Sequence, residues 1–455
     1  MTQVESKPRA TSDPADRKRV LKRIEEEGVD FLLLWFTDIE GHLKSFAVTP
    51  SEIDDALNDG MGFDGSSITG FNAIEESDMV AIPDPSTFQL MPYSEGDRSK
   101  VARMICDVVT PDGVPYEGDP RHVLRRALDR MRAMGFDTFN VGPELEYFLF
   151  SSADAPETLD EGGYFAQTTL DAATELRQET IHALESMGIP IEYAHHEVGP
   201  SQHEIDMHYA PALGMADGVL TYRLIVKEIA AKNGVYATFM PKPIFGENGS
   251  GMHTHQSLFS GGRNSFFDGN DKWHLSDVGK AFIAGQLRHA REISAVFAQW
   301  VNSYKRLVPG YEAPVYVAWS QRNRSALIRI PLYKPGSEQA TRVEIRCPDP
   351  ACNPYLTFAT LLHAGLEGIE QGYELPDPME TNLYHLTAEQ RRERGIVSLP
   401  ETLGEATDAL AQSELARKAL GEHIFDRYVE IKRKEWDDYR VQLTDWEMKR
   451  YLKAL

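Results

Sequence analysis

Residues 142–150 read GPELEYFLF. In an extended strand the side chains alternate between faces, so Glu144 and Glu146 project on the same side, about 7 Å apart. The rest of the segment is aromatic and aliphatic. Desolvating one carboxylate is costly, and setting two on one face costs more unless positive charge lies between them. Arginine, lysine or a metal ion could supply that charge. Taken alone, such a pair is more often a solvated strand face than a metal site.

Working outward from this strand, DPRHVLRRALDRMRAMG (119–135) gives a helix with Asp119 as N-cap, Pro120 at the first helical position and Gly135 as its stop. Further helices are expected over TTLDAATELRQETIHALESMG (168–188), DVGKAFIAGQLRHAREISAVFAQW (277–300) and NPYLTFATLLHAGLEGIEQG (353–372). Strands and helices mix without regular βαβ alternation, which argues for an α+β domain on a largely antiparallel sheet. Upstream, DRKRVLKRIEEEG (16–28) places Val20, Leu21 and Ile24 on one helical stripe. DFLLLWFTDIEGHLKSFAV then reads as two strands around a turn at Glu40-Gly41, and VARMICDVV (101–109) as a third. The Pro/Gly/Asp-rich stretch at 111–120 marks a domain boundary.

A chain of 455 residues exceeds what one core usually holds, so two domains are expected. With 70 acidic against 47 basic residues and a net charge of −23, neither nucleic acid nor an anionic membrane is the expected partner. Cations and amines fit better. Three cysteines, Cys106, Cys347 and Cys352, are too few and too unpatterned for a disulfide framework or a zinc ribbon, which points to a reducing compartment. With no apolar run of membrane-spanning length and no signal-peptide pattern, the expectation is a soluble, cytoplasmic protein whose polar first 15 residues are disordered.

The glutamate pair has company. HHEVGPSQHEID supplies Glu197 and Glu204, NGSGMHTHQSL supplies His253 and His255, and RVEIR supplies Glu344. Oxygen donors with one or two imidazoles suit Mg²⁺ or Mn²⁺ better than zinc. His195 and His196 read as packing residues or as supports behind the metal ligands. Arg306, Arg322, Arg324, Arg329, Arg342 and Arg346 crowd one stretch of an otherwise acidic chain, and guanidinium forks match carboxylate and phosphate oxygens. Cation-binding carboxylates beside anion-binding arginines point to phosphoryl transfer. GENGSGMHTH lacks the lysine and spacing of a P-loop, so any nucleotide is held by another fold.

Ten blocks carry a further signal: FDGSSI (63–68), ESDM (76–79), PDPSTF (83–88), PELEYFLF (143–150), GGYF (162–165), EVGPSQHE (197–204), NGSGMHTHQSL (248–258), NSYKRLVPGYEAPV (302–315), NRSALIRIP (323–331) and RVEIRCPDPACNPYL (342–356). In content and order they resemble the type I glutamine synthetase family of bacteria and archaea, over nearly the whole chain from about residue 28. The resemblance implies an α+β protein: a small β-grasp N-terminal domain (16–112) and a catalytic domain (118–455) whose curved antiparallel sheet is flanked by helices.

The resemblance also implies an ATP-dependent ligation of ammonia to glutamate through γ-glutamyl phosphate, with two or more Mg²⁺ or Mn²⁺ ions. Glu146, Glu197 and Glu204 match the first metal's ligands, and Glu144, His253 and Glu344 the second's. His255 and Ser257 fall where the family contacts nucleotide, while Asn248 and Gly249 fall where it holds the amino acid. Arg306 and Arg346 match the clamps on the two glutamate carboxylates, and Arg324 and Arg329 the phosphate binders. Asp64 matches the carboxylate that deprotonates ammonium, with Tyr164 and Glu204 beside it, and Glu312 matches the flap that shields the acyl phosphate. Asp64 is expected to enter a neighbouring subunit's site within a homo-oligomer, a dodecamer of two hexameric rings. The apolar residues Trp446, Tyr451, Leu452 and Leu455 of the tail DWEMKRYLKAL are costly to leave in water and are expected to lock the rings together.

Some positions depart from the pattern. Ser201 stands where glycine is common, and only eleven residues separate FLF from GGYF, where the adenylylated branch carries an insertion. Tyr384 lies in a segment resembling the adenylylated one and reads as an unmodified loop residue. LWFTDIEGHLKSFAV, DPRHVLRRAL and ACNPYLTFATLLHAG are similar to an actinobacterial γ-glutamylpolyamine synthetase branch. Ammonia is the expected acceptor, an organic amine the alternative, and a catalytically silent sensor or scaffold the reading from another class.

Overall fold

A computed structural model describes residues 14–66, 68–70, 78–92, 99–311 and 313–455. Residues 1–13 of the expected tail, residues 76 and 77 of the ESDM block and Glu312, the expected flap residue, lie outside the described residues. The first helix, Pro14–Glu27, begins two residues earlier than its apolar stripe indicated and buries Val20 and Ile24.

The N-terminal sheet runs in the spatial order Leu43–Val48, Phe31–Thr37, Val101–Val109, Asp78–Pro83, Met61–Asp64, with Gln89–Leu90 beside Val101–Val109. Its two central strands are parallel, with Leu32 opposite Ala102, and their outer neighbours are antiparallel. Leu32, Leu34, Ala102 and Met104 pack with Val20, Ile24 and Leu57 into a core of their own. The turn between the first two strands needs Gly41 twice over. Its φ is +83°, and a Cβ there would come within 2.9 Å of Asn353 Cα in the other part of the chain.

The second sheet runs Tyr316–Ser320, Ala326–Arg329, Val343–Ile345, Met252–Ser260, Thr138–Phe150, Gln202–Met207, Ile191–His196. Tyr316–Ser320 and Ala326–Arg329 run parallel, and every other neighbouring pair along this path is antiparallel. The 13-residue strand Thr138–Phe150 holds the glutamate pair near the middle of the sheet. Helix Pro120–Ala133 precedes it, capped by Asp119, whose carboxylate accepts from the Arg121 amide at 2.9 Å.

Behind the sheet, helices Asp277–His289 and Pro354–Gln371 cross with their backbones in near contact. A Cβ on Gly285 would lie 2.1 Å from the Ala364 carbonyl oxygen, and one on Gly368 would lie 2.0 Å from that of Ala281. Asn353 caps the second of these helices, its Oδ1 accepting from the amides of Tyr355 and Leu356. Its Nδ2 donates to the carbonyl oxygens of Ile39 at 3.1 Å and Asp38 at 3.4 Å, so one side chain ties the helix start to the N-terminal sheet.

Two expected helices are shorter than their periodicity. The first begins only at Thr174, after a 3₁₀ turn at Thr168–Leu170. Asp171 accepts from the Ala173 amide, the Thr174 hydroxyl and Arg177, and so offers the backbone an alternative to continuing the helix. The second stops at His289 and resumes for Ser294–Phe297, with the Ser294 hydroxyl donating to the Arg291 carbonyl at 2.8 Å. Among the described residues no helix is long and apolar enough to cross a membrane.

Candidate active site

Strand register assembles the site. Thr138–Phe150 places Glu144 opposite His253 on one side and opposite Asp206 on the other, while Glu146 faces Glu204, which in turn faces His195. On the next strands Glu344 lies between His255 and Arg329. Because each strand contributes residues two apart, the charged side chains all emerge on one face. They line a cavity of about 390 Å³ with Glu144, Glu146, Glu197, Glu204, His253 and Glu344 on its walls.

His255 Nε2 lies 2.8 Å from one oxygen of Glu144, and His253 Nδ1 lies 3.3 Å from the other. Burial works against these contacts, but the two imidazoles hold Glu144 well below the usual carboxylate range. Glu344 is fully buried and receives Arg329 on one oxygen and Arg346, at 2.7 Å, on the other. Glu146 accepts from the Gly251 amide and from Gln202 Nε2, each at 2.9 Å, yet burial and the nearby Glu197 push it up to about 8. Burial, then Asp206 and Glu146, push Glu204 well above its ordinary value. Carboxylates crowded in this way favour a bound cation.

Two groups of donors come close enough for one ion each: Glu144 with His253 and Glu344, and Glu197 with Glu204 and His195. The first is the expected second-metal set. In the second, His195 joins the expected glutamates with its Nε2 2.9 Å from Glu197 and lines the cavity itself, so of the packing and supporting roles its sequence context left open, packing alone does not describe it. Glu146 lines the same cavity but stands outside that grouping. A third group, Asp160, His196 and His203, is set apart by strand alternation; there Asp160 accepts from His196 and from the amides of Gly162, Ser201 and Ala172.

The remaining wall supplies anion and amide binders: Asn248, Gly249, Arg306, Arg324, Arg329 and Arg346, with Tyr164 at the rim. Arg306 is anchored by the carbonyl oxygens of Cys347, Pro348 and Arg346. Arg346 keeps a buried Nε with no partner among the described groups. Gly249 has no room for a side chain, because a Cβ would lie 2.4 Å from the Pro241 carbonyl oxygen. His255 and Ser257 line an adjoining cavity of about 280 Å³ that shares Glu144 and Tyr193 with the first and includes Arg342. An acidic, metal-competent chamber thus shares two wall residues, Glu144 and Tyr193, with a neighbouring chamber.

The glutamine synthetase catalytic-domain family matches residues 117–451, and the glutamine synthetase β-grasp-domain family matches residues 28–111. The chain belongs to the glutamine synthetase family. The glutamine synthetase of Mycolicibacterium smegmatis is 52% identical over 444 residues, 96% of this chain and 99% of the relative. That of Methanosarcina mazei is 49% identical over 443 residues, covering 96% and 98%. Among solved structures, a GmaS–ADP complex superposes with a TM-score of 0.87 at 31% identity, covering 96% of this chain and 99% of that one. The cryo-EM structure of Plasmodium falciparum glutamine synthetase gives 0.85 at 26% identity, covering 98% and 100%.

Glutamine synthetases are ATP-dependent and use divalent metals, and the two donor groups fit that requirement in composition. Each joins two carboxylates to one imidazole, and burial with the nearby Arg346 lowers the pKa of His253, keeping it neutral as a ligand must be. Among the described residues, one expected site residue lines neither cavity of its own chain. Asp64 sits exposed at the end of strand Met61–Asp64, its Oδ1 accepting from the Ser66 amide, and lines neither chamber. The Tyr384 hydroxyl, half-buried, donates to the Ala313 carbonyl at 2.8 Å.

Proposed function

We propose that the chain makes glutamine from glutamate, ammonia and ATP. The observation that carries this reading is a single cavity in a glutamine synthetase family member that sets two metal-competent clusters against Arg306, Arg324, Arg329 and Arg346. When bound, two divalent ions, Mg²⁺ or Mn²⁺, would neutralise phosphate charge; Glu144, His253 and Glu344 would hold one, and Glu197 and Glu204, with His195 and Glu146, the other.

The chain's own groups then divide the work. Arg306 and Arg346 orient the glutamate carboxylates with Asn248 and Gly249. His255 and Ser257 contact the nucleotide, and Arg324 and Arg329 draw charge from the γ-phosphoryl group. A γ-carboxylate oxygen of glutamate attacks the γ-phosphorus, the bond to the β-phosphate oxygen breaks, and ADP leaves. Ammonium, held by Tyr164, Glu204 and Asp64 of a neighbouring copy, loses a proton to Asp64. The ammonia nitrogen attacks the acyl carbon, the carbon–oxygen bond breaks, phosphate leaves, and the amide forms while Glu312 excludes water.

We further propose a homo-oligomer, a dodecamer of two hexameric rings, working in the cytoplasm and divided near residues 112–118 into a β-grasp and a catalytic domain. Asp64 lies outside its own chain's cavity, and Trp446, Tyr451, Leu452 and Leu455 are exposed on the tail, which supports the assembly. The alternative acceptor is an organic amine. It is favoured by an aromatic rim in which Tyr164, Phe165 and Tyr193 gather around His195 and stay about half exposed. Near 50% identity to glutamine synthetases weighs towards ammonia. Phosphate release with ATP, Mg²⁺ and glutamate, measured against ammonia, methylamine, ethanolamine, putrescine and spermine, tests the choice. A tenfold preference for any organic amine would overturn it, and a protein with no turnover on any amine would be a scaffold.

A further inference from the structure

Strand Ile191–His196 turns His195 into the cavity and His196 to the opposite face, where the group of Asp160, His196 and His203 lies. That group is already occupied by the protein's own donors. The Asp160 side chain is 5% exposed, and one of its oxygens accepts from His196 Nε2 at 3.0 Å, the Ser201 amide at 2.9 Å and the Gly162 amide at 3.2 Å. The other accepts from the Ala172 amide at 2.9 Å. Arg177 Nη1 donates to His203 Nδ1 at 2.9 Å, so a guanidinium stands where a cation would have to approach. The cluster is a clamp on the backbone rather than a metal site.

Ser201 is the second half of the clamp. Its φ is +57°, a conformation that glycine adopts more easily, and its buried hydroxyl accepts from the amides of Leu159 at 2.6 Å and Asp160 at 3.1 Å. Among the described residues, the direct hydrogen bonds from segment 159–172 to the hairpin 191–207 all pass through Asp160 or Ser201, except that of the Phe165 amide to the His196 carbonyl at 3.0 Å. This segment carries the aromatic rim: the Tyr164 ring meets the His195 ring edge-on, with 5.3 Å between centroids. The turn that carries Glu197 has ties of its own, from the Glu197 amide to the Gln202 carbonyl at 2.7 Å and from the Leu149 amide to the Ser201 carbonyl at 3.0 Å. Opening the clamp would therefore release the rim and leave Glu197 and Glu204 in place.

We propose that Asp160 and Ser201 are positioning residues for the amine acceptor. They fix the distance from Tyr164 to the Glu197 and Glu204 carboxylates, and so set how tightly the amine is held while leaving the ATP-dependent first step alone. This rests on the reading above that Tyr164 faces the amine.

Steady-state kinetics of the full-length protein test this in wild type, Asp160→Asn and Ser201→Gly. Glycine removes the hydroxyl and suits the positive φ, so any effect of that variant arises without backbone strain. The expected result in both is a KM for ammonium raised threefold or more, with the KM for ATP, the KM for glutamate and ammonia-independent ADP release within twofold of wild type. In a Tyr164→Phe background, Ser201→Gly should raise the ammonium KM by less than twofold further, because residues that act through one group are not additive. An ammonium KM raised less than threefold in Ser201→Gly would overturn the proposal. A rise shared by all three substrates, or a fall in kcat and Tm with every KM unchanged, would also overturn it by assigning the clamp a merely structural role. Additive effects in the Tyr164→Phe background would do the same by placing the action elsewhere. A wild type that makes no amide from any amine would fail the functional reading and the proposal together, whereas an active wild type with unshifted variants fails the proposal alone.

Discussion

Arg346 Nη1 lies 2.7 Å from Glu344 Oε1, although the two residues are only two positions apart in the chain, and Arg329 takes the other oxygen of the same glutamate. One fully buried carboxylate therefore organises two of the arginines assigned to anions, besides facing His253. Glu344→Gln should lower ATP-dependent turnover by about a hundredfold or more while leaving the secondary structure intact. Removing one partner of a buried pair costs about 3 kcal/mol, so the melting temperature should fall as well. EDTA should abolish turnover of the wild type reversibly. Unchanged turnover after exhaustive metal removal, measured by phosphate release, would remove the two-cluster mechanism.

The crossing of Asp277–His289 with Pro354–Gln371 makes a prediction far from the chemistry. Gly285→Ala forces a methyl group to within 2.1 Å of a carbonyl oxygen, so the helices must separate. A loss of about 1–3 kcal/mol is expected from overpacking of this kind, read as a lower midpoint in urea. An unchanged midpoint would mean that the crossing is looser than described.

Much of this was legible in the sequence, and the reasons can be given residue by residue. The helix at Pro120–Ala133 was readable because Asp119, Pro120 and Gly135 are local signals. The Glu144/Glu146 pair was readable because a strand's alternation is local too. What alternation could not give was the partner. The pairing of His195 with Glu197 and Glu204 depends on the register of Ile191–His196 against Gln202–Met207, a tertiary fact. A hint was present, since His195 and Glu197 are two apart on an extended segment, the same spacing that drew attention to the glutamates. Past His289 the chain passes through hydrogen-bonded turns at 290–293 before Ser294–Phe297, and the apolar pattern across it carried no trace of that break.

Asp64 gives the third prediction. Asp64→Ala should raise the KM for ammonium and lower kcat, while formation of γ-glutamyl phosphate from ATP and glutamate survives, detectable as ammonia-independent ADP release. Because Asp64 lines neither chamber of its own chain, mixing Asp64→Ala chains with Glu344→Gln chains during assembly should restore part of the activity that each lacks alone. No recovery in mixed assemblies would place Asp64 outside the reaction or return it to its own chain's site.

The tail gives the fourth. Helix Asp445–Tyr451 has no buried residue and displays Trp446 at 60% exposure, with Leu452 at 70% just beyond it. Deleting residues 445–455 should reduce the assembly to a smaller species by light scattering and lower its melting temperature. A fully active monomer, with or without the tail, would end the ring hypothesis.

Asn353 has a meaning beyond its hydrogen bonds. It indexes the N-terminal sheet, and with it Asp64, to the start of a helix that backs the catalytic sheet, and Gly41 leaves no slack at the contact. Within one chain, the distance from the Asp64 strand to the chain's own cavity is therefore a fixed length. If such chains close into the proposed ring, the interface between neighbours alone sets where Asp64 stands over the next chain's active site. A substitution at the interface that flattens the ring by a few degrees would then act as an active-site mutation while touching no substrate.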